Sequence, residues 1–156
     1  MNSVIVDSGI TAIAGIISGA ISGRPNAMYV EFCNGTPEEP VIANDRDISY
    51  YNALSAPYGF VRVGLSGLYL PPENAGVITA TACVTEAVMA AQHPAIVDLT
   101  GIKFYAAGLV YAPDWANPAN DILMSASNFM ASGVFAPVTF IPATALVASL
   151  SLAIGR

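Results

Sequence analysis

The first apolar pattern along the chain has the period of an α-helix. Four isoleucines recur at helical spacing within an uncharged stretch over residues 9–23, and a fifth widens their stripe: Ile10, Ile13, Ile17 and Ile21, with Ile16 beside them. Asp7 or Ser8 can cap the start of such a helix, and Gly23-Arg24-Pro25 ends it. The pattern therefore predicts an amphipathic helix over about residues 8–22, with the isoleucine stripe on the core of the domain.

The opposite face of this helix is polar but uncharged, and its residues are small: Thr11, Gly15, Ser18 and Ser22. Small residues permit close packing, so this face is predicted to contact another subunit. Ser18 and Ser22 are its candidate interface residues.

After the helix the period changes to two, which is the period of a β-strand. Strands are predicted over residues 27–35, 58–72, 76–90, 99–113, 122–130, 134–142 and 144–155. Residues 36–57 hold three prolines and most of the local charge, so they predict a long surface loop. The expected fold is mainly β, an antiparallel β-sandwich or barrel-like domain with one N-terminal amphipathic helix. Residues 1–156 are expected to form one domain, with the β-domain at 27–155.

Two of the predicted strands have one apolar and one hydroxyl-rich face. In residues 76–90 the apolar positions alternate with threonines: Ile78, Ala80, Ala82 and Val84 against Val77, Thr79, Thr81, Cys83 and Thr85. In residues 144–155 the apolar positions alternate with serines: Leu146, Ala148, Leu150, Leu152 and Ile154 against Val147, Ser149, Ser151 and Ala153. Each apolar set is predicted to face the core.

The composition changes this picture, because the chain has too few charges to cover a soluble surface. Charged residues make up 10% of the 156 residues and hydrophobic residues 54%, against about 25% charged in typical domains. The mean hydropathy is +0.59, yet no apolar run reaches the roughly 18 residues that would span a bilayer. We therefore expect much of the surface to be buried between subunits, in a homo-oligomer such as a trimer or hexamer, with no membrane insertion.

Charge and polarity also restrict the location and the partners. The net charge of −6 and the isoelectric point near 4.3 argue against nucleic acid, which requires basic patches. The uncharged stretch at residues 9–23 has Asp7 before it and Arg24 after it. That order is the reverse of a secretion signal, so export is not expected.

Candidate catalytic residues are sparse. A serine hydrolase would have to use His93, the single histidine, and no serine lies in a G-x-S-x-G motif. The acidic pairs at residues 38–39 and 45–47 lack the order of a calcium loop, although a pair of glycosidase carboxylates is recognised by geometry and not by spacing. Cys33 and Cys83 favour two free thiols over a disulfide or a metal site. The prediction is a protein that is not an enzyme and has no cofactor and no metal.

Aromatic residues on the loops are the remaining candidates for binding. Tyr50 and Tyr51 lie in the long loop, and Trp115 lies in the turn-rich segment at residues 114–121. Exposed rings could stack on sugars or anchor a protein partner, whereas the simpler alternative is packing in the core or in a subunit interface.

Several segments resemble bacteriophage tail-fibre and related virion structural proteins. "DSGITAIAGIISG" resembles their opening D-x-G-x-x-A-I-A helix, and "MYVEFCNG" resembles the strand that follows it. "GIKFYAAGLVYAPDWANPANDILMSASNF", with Ala107-Gly108-Leu109, is similar to a central Gly-Leu segment, and "LVASLSLAIG" to a closing strand. The resemblance implies a non-catalytic virion subunit without a cofactor, associated with a tail fibre or baseplate and assembled in the host cytoplasm. The alternatives are a capsid cement or decoration protein and a module that binds host-surface carbohydrate.

Overall fold

A computed structural model describes residues 3–54, 58–69 and 76–153. The predicted positions 55–57, 70–72 and 154–155 lie outside these ranges. The elements follow in this order: β1 (Ser3–Ile5), α1 (Asp7–Ser18), β2 (Ala27–Asn34), α2 (Ile48–Leu54), β3 (Phe60–Tyr69), β4 (Val77–Val84), α3 (Glu86–Gln92), β5 (Ile102–Tyr111), β6 (Ile122–Asn128), β7 (Met130–Ala131), β8 (Val134–Phe135), β9 (Val138–Thr139) and β10 (Leu146–Ala153).

The long strands form one antiparallel sheet that curls into a nearly closed barrel. Its strand order is β1-β6-β5-β2-β3-β4-β10, and β9 adds to the start of β5. The barrel seam lies between β1 and β10, where the hydroxyl of Ser3 donates to the carbonyl of Ser151. The structure confirms the prediction of a mainly β, barrel-like fold.

The barrel interior holds the first of two apolar clusters. Alternate residues of the strands supply it: Met28, Val30 and Phe32 from β2, Val61 and Val63 from β3, Ala80, Ala82 and Val84 from β4, and Ala148 and Leu150 from β10. The apolar faces that the alternation in β4 and β10 predicts are therefore the buried faces.

A second apolar cluster lies on the outside of the barrel, over β2, β5 and β6. There Tyr29, Tyr105 and Val110 pack beneath Tyr51, with Ile48 beside them. The prediction of a surface loop at residues 36–57 is therefore wrong over its second half, which forms α2. The described part of this segment, residues 36–54, is called the strap below. It buries apolar side chains, although its prolines and charges are typical of a surface loop.

Helix α1 differs from its prediction in its N-cap, its length and its rotation. Its N-cap is Val6, without a side-chain cap hydrogen bond, so the predicted cap by Asp7 or Ser8 is wrong. The Ser8 hydroxyl instead donates to the carbonyl of Leu123 at 2.7 Å.

Helix α1 ends at Ser18 because Gly19 adopts a left-handed backbone conformation with φ of 77°. Its buried residues are Gly9 and Ala12, whereas Ile10 and Ile17 are 55% and 82% exposed. Gly9 lies so close to β6 that a Cβ there would be 2.1 Å from the Met124 carbonyl oxygen. This close approach places the small residues at the contact, so the predicted isoleucine stripe is turned partly outward.

The predicted strand at 76–90 ends early and is followed by helix α3. The side chain of Thr85 accepts a hydrogen bond from the backbone N–H of Val88 at 3.2 Å, which caps the helix. The residues that follow, rich in Ala, Glu, Met and Gln, favour a helix. The expectation of one helix is thus corrected, since α2 and α3 are also present. None of the described helices is long and apolar enough to cross a membrane.

Candidate functional site

The outer surface of β4 and β10 is a regular face without charge. Eight side chains form it: Val77, Thr79, Thr81 and Cys83 from β4, and Val147, Ser149, Ser151 and Ala153 from β10. We call it the β4–β10 outer face. The two strands pair over eight consecutive positions without a bulge, from Leu146 opposite Val84 to Ala153 opposite Val77. The hydroxyls of Thr79 and Ser151 lie 3.4 Å apart across the strands, so part of the polar capacity of this face is used within it.

This face is uncovered, unlike the opposite side of the barrel. All four outward residues of β10 are exposed, and Val147 is 64% exposed. On β2, β5 and β6 the strap covers the equivalent surface. Within residues 3–54, 58–69 and 76–153, no segment covers the β10 side of the barrel in the same way.

The exposed acidic residues of the described chain lie elsewhere. They occupy loops and helix starts: Asp7, Glu38, Glu39, Asp45, Asp47, Glu86, Asp98 and Asp114. Within the described ranges, therefore, none of the exposed acidic side chains belongs to the β4–β10 outer face, although Glu86 follows Cys83 by three residues at the start of α3.

The candidate residues Ser18 and Ser22 both lie at the surface. The hydroxyl of Ser18 donates to the carbonyl of Gly15 at 3.1 Å. Ser22 lies beyond the end of α1, and its carbonyl accepts a hydrogen bond from the Tyr111 hydroxyl. The exposed Ile17 next to Ser18 makes this part of α1 more apolar than its small polar residues indicate.

The candidate residues Tyr50 and Tyr51 have different environments. Tyr51 is only 3% exposed, and its carbonyl accepts from the Tyr105 hydroxyl at 3.4 Å. Tyr50 is half-buried, with the guanidinium of Arg46 4.5 Å from its ring centroid and its hydroxyl accepting from the Val41 N–H. Burial, with smaller contributions from Tyr50 and Glu31, raises the pKa of Tyr51 to about 12. Tyr51 thus packs inside its own subunit.

Trp115 is the candidate aromatic residue that is exposed, at 52%. The Arg62 guanidinium lies 4.2 Å from its ring centroid, in a cation–π contact. Arg62 also donates hydrogen bonds to the carbonyls of Asp114 and Trp115. The ring is therefore held in a defined position at the surface.

A buried ionic network supports Trp115 from below. Arg62 is paired with Asp121, whose carboxylate also accepts a hydrogen bond from the Tyr29 hydroxyl at 2.5 Å. Burial, and then the hydrogen bond and negative charge of Asp121, raise the pKa of Tyr29 above its usual range. Sequence reasoning missed this network, although an arginine between the buried positions Val61 and Val63 was a signal for it.

A groove of about 500 Å³ lies beside this network, between the strap and the segment before β6. Asp47, Ser49 and Asn52 line one side of it, and Phe60, Pro118 and Ile122 the other. Its volume is within the usual range for ligand sites, about 300–1,000 Å³. Since none of its lining residues is basic, it suits an uncharged hydroxylated ligand better than an anion.

His93 and its neighbour Gln92 hold the edge of β3. The Nε2 atom of His93 lies 2.7 Å from the carbonyl oxygen of Phe60, and its ring meets Phe32 edge-on. The side-chain amide of Gln92 accepts from the Arg62 N–H at 2.9 Å and donates to the Arg62 carbonyl at 2.6 Å. These contacts satisfy strand backbone groups where β4 does not pair.

The two cysteines are free; Cys33 is buried and Cys83 is half-buried. In the part of the chain that the structure describes, no three His, Cys, Asp or Glu side chains are grouped to hold a metal ion. The chain matches no protein-family model, no curated protein and no solved structure.

Proposed function

We propose that this protein is a non-catalytic structural subunit that assembles with copies of itself and with other proteins. The β4–β10 outer face is the single observation that carries the proposal. It is a regular, uncharged surface, exposed on β10 and half-buried on β4, on an acidic subunit that has charged residues at only 10% of its positions. Burial of its apolar side chains, such as Val77 and Val147, against protein is favourable.

The assembly that the sequence resemblance favours is a bacteriophage virion, with the subunit in a tail fibre or baseplate. A capsid cement or decoration protein would use the same kind of surface. In either position the subunit contributes contact area and not chemistry, and uncharged faces can meet without the cost of desolvating charges.

Size-exclusion chromatography with light scattering tests self-assembly directly. We expect the measured mass to rise above the 16.1 kDa of one chain as the concentration increases from micromolar to millimolar. A well-behaved monomer up to the millimolar range would contradict the proposal. Cryo-electron microscopy of an intact particle that contains the subunit would then test its position in a virion.

A second candidate function, binding of a neutral glycan on a host surface, is favoured by one specific observation. The exposed Trp115 ring is held in place by Arg62, and Asp121, the ion-pair partner of Arg62, lines the groove of about 500 Å³. Aromatic rings bind the C–H faces of sugars, and amide and carboxylate groups bind their hydroxyls.

A glycan array probed with the labelled protein tests this second candidate. Binding of neutral glycans by the wild type that is lost in Trp115→Ala, and kept in Val97→Ala, would support it. Val97 is a suitable control because it is 96% exposed and lies outside the groove. Absence of binding to every neutral glycan on the array would contradict it.

A further inference from the structure

We infer that the β4–β10 outer face is the docking surface for a second copy of this chain, packed sheet against sheet through the same face on both subunits. The inference rests on the proposed function and specifies its first contact. Three properties of the described residues indicate a second copy as the partner: the charge distribution, the missing cover on this side of the barrel and the shape of the face.

The charge distribution selects a second copy as the partner. Each subunit carries a net charge of −6, so two copies repel each other wherever exposed acidic residues meet. Asp45 and Asp47 on the strap, and Asp98 and Asp114 on loops, oppose such an approach. The eight side chains of the β4–β10 outer face include no acid and no base, and the exposed Glu86 lies beyond the end of β4, so two copies can meet there with less of that repulsion. A basic partner would instead bind the acidic surfaces.

The missing cover points to the same surface. The barrel buries the outer side of β2, β5 and β6 beneath the strap, and this forms a second apolar cluster. The β10 side has exposed Val147 and exposed serines where that cover would lie. A second copy would supply the missing layer from outside the chain.

The shape of the face fits a symmetric contact. Its side chains are small, and its strand ladder has no bulge over eight pairs. Two such faces can approach to about 10 Å, which is the usual spacing of packed sheets. In a two-fold arrangement each residue contacts the equivalent surface of the other copy, so hydroxyls of Ser149 and Thr81 can pair across the interface.

The size of the face sets the expected affinity. Each strand of the face has eight positions that rise about 3.3 Å each, and the two strands lie about 4.8 Å apart. The footprint of the face is therefore roughly 260 Å². This is roughly a third of the about 800 Å² per partner in standard stable interfaces. We therefore expect a monomer–dimer equilibrium in the micromolar range or weaker, which further contacts would strengthen inside a larger assembly.

Sedimentation velocity of the full chain, from low micromolar to millimolar concentration, tests the inference with Ser149→Arg. Ser149 is exposed at the centre of β10, so its arginine remains solvated in the monomer but is buried in the dimer. We expect the wild type to shift from monomer to dimer and Ser149→Arg to remain monomeric. The control is Thr139→Arg, an exposed position on β9, which pairs with β5 and not with β4 or β10. It should dimerise as the wild type does.

Alkylation of Cys83 by iodoacetamide gives a second readout that needs no substitution. Cys83 belongs to the face, whereas Cys33 is buried beneath the strap. We expect the alkylation rate of Cys83 in the wild type to fall several-fold as the protein concentration rises. Peptide mass spectrometry assigns the label to each cysteine. This measurement decides the inference even if Ser149→Arg fails to fold.

The outcomes separate the two proposals. If the wild type associates while Ser149→Arg associates equally and Cys83 stays reactive, the docking surface is wrong and self-assembly stands. If the wild type is monomeric throughout and Cys83 reacts at a constant rate, both the docking surface and self-assembly are wrong.

Discussion

Arg62 and Asp121 form a buried ion pair that joins two distant parts of the chain. The Nε atom of Arg62 lies 2.7 Å from Oδ2 of Asp121, and Nη2 donates to Oδ1 at 2.9 Å. The two side chains are 5% and 0% exposed. Because Arg62 also binds two carbonyls of the 112–121 segment, the pair fixes this segment against β3.

Breaking this pair should destabilise the fold strongly. We expect Asp121→Asn and Arg62→Met each to lower the free energy of unfolding by about 3–5 kcal/mol, since each leaves a buried group without its partner. Urea denaturation measures the change. The control is Arg46→Met, which removes a more exposed ion pair with Asp45 at 3.8 Å and should cost less than about 1 kcal/mol. Equal losses in the three variants would contradict the role of burial.

Alkaline pH should destabilise the protein through its buried tyrosines. The pKa of Tyr51 is raised from 10.0 to about 12 by burial, so the unfolded chain releases this proton at lower pH than the folded chain does. The contribution of neutral Tyr51 to the free energy of unfolding is thus complete below about pH 10 and is lost as the pH rises towards 12. The free energy of unfolding should fall with a slope of at most about 1.4 kcal/mol per pH unit.

Urea denaturation at pH values from about 9 to about 12 measures this slope. Tyr51→Phe should make the slope shallower, since the phenylalanine cannot ionise. Tyr50→Phe is the comparison and should change the slope less, because Tyr50 contributes less than burial does to the raised pKa of Tyr51. An unchanged slope in Tyr51→Phe would show that another group controls alkaline unfolding.

Close packing of α1 on β6 should make Gly9 intolerant of a side chain. A Cβ at this position would lie 2.1 Å from the Met124 carbonyl oxygen, so the helix must move. We expect Gly9→Ala to lower the free energy of unfolding by about 1–3 kcal/mol, as overpacking does. Gly15→Ala is the matched control, because its Cβ would first meet the side chain of Ile21, 2.7 Å from Cδ1, and not a backbone atom. A tolerated Gly9→Ala would mean that the helix lies further from β6.

The cap of α3 should contribute measurably to stability. Thr85→Ala removes the side-chain oxygen that accepts from Val88, at a cost of about 1 kcal/mol. Thr85→Ser keeps the oxygen and should lose much less. Thermal unfolding followed by circular dichroism measures both variants, and equal melting temperatures for alanine and serine would exclude a capping role.

The surface of α1 is a second candidate contact in the assembly. Ser18 is exposed next to Ile17, so Ser18→Arg should leave the free energy of unfolding within about 0.5 kcal/mol of the wild type. We expect it to remove oligomers larger than the dimer, which light scattering measures. Ala95→Arg, at an exposed loop position, is the control. Full-size oligomers in Ser18→Arg would exclude this helix surface from the interface.

Local patterns were sufficient for the two faces of β4 and β10 but not for every strand, since β1 was not predicted and the predicted strand at 134–142 is two short strands, β8 and β9. The alternation in β4 and β10 predicts which side chains face the core, because successive residues of a strand point to opposite sides whatever the partner strand is. The uncharged outer face could therefore be predicted from Thr79, Thr81, Ser149 and Ser151. The presence of α1 was also predictable from helical spacing, which is a local feature, but its cap was not, because the N-cap is Val6 and no side chain caps it.

By itself, then, the amino-acid sequence determined a mainly β fold, a helix near its start and a hydroxyl-rich strand face. Tertiary structure alone decided the rest, because it depends on residues that are far apart in the chain. The rotation of α1 follows from the approach of Gly9 to Met124, and the burial of Tyr51 follows from the outer surface of β2 and β5. Helical spacing and loop composition contain no information about such distant partners, so they could predict neither contact.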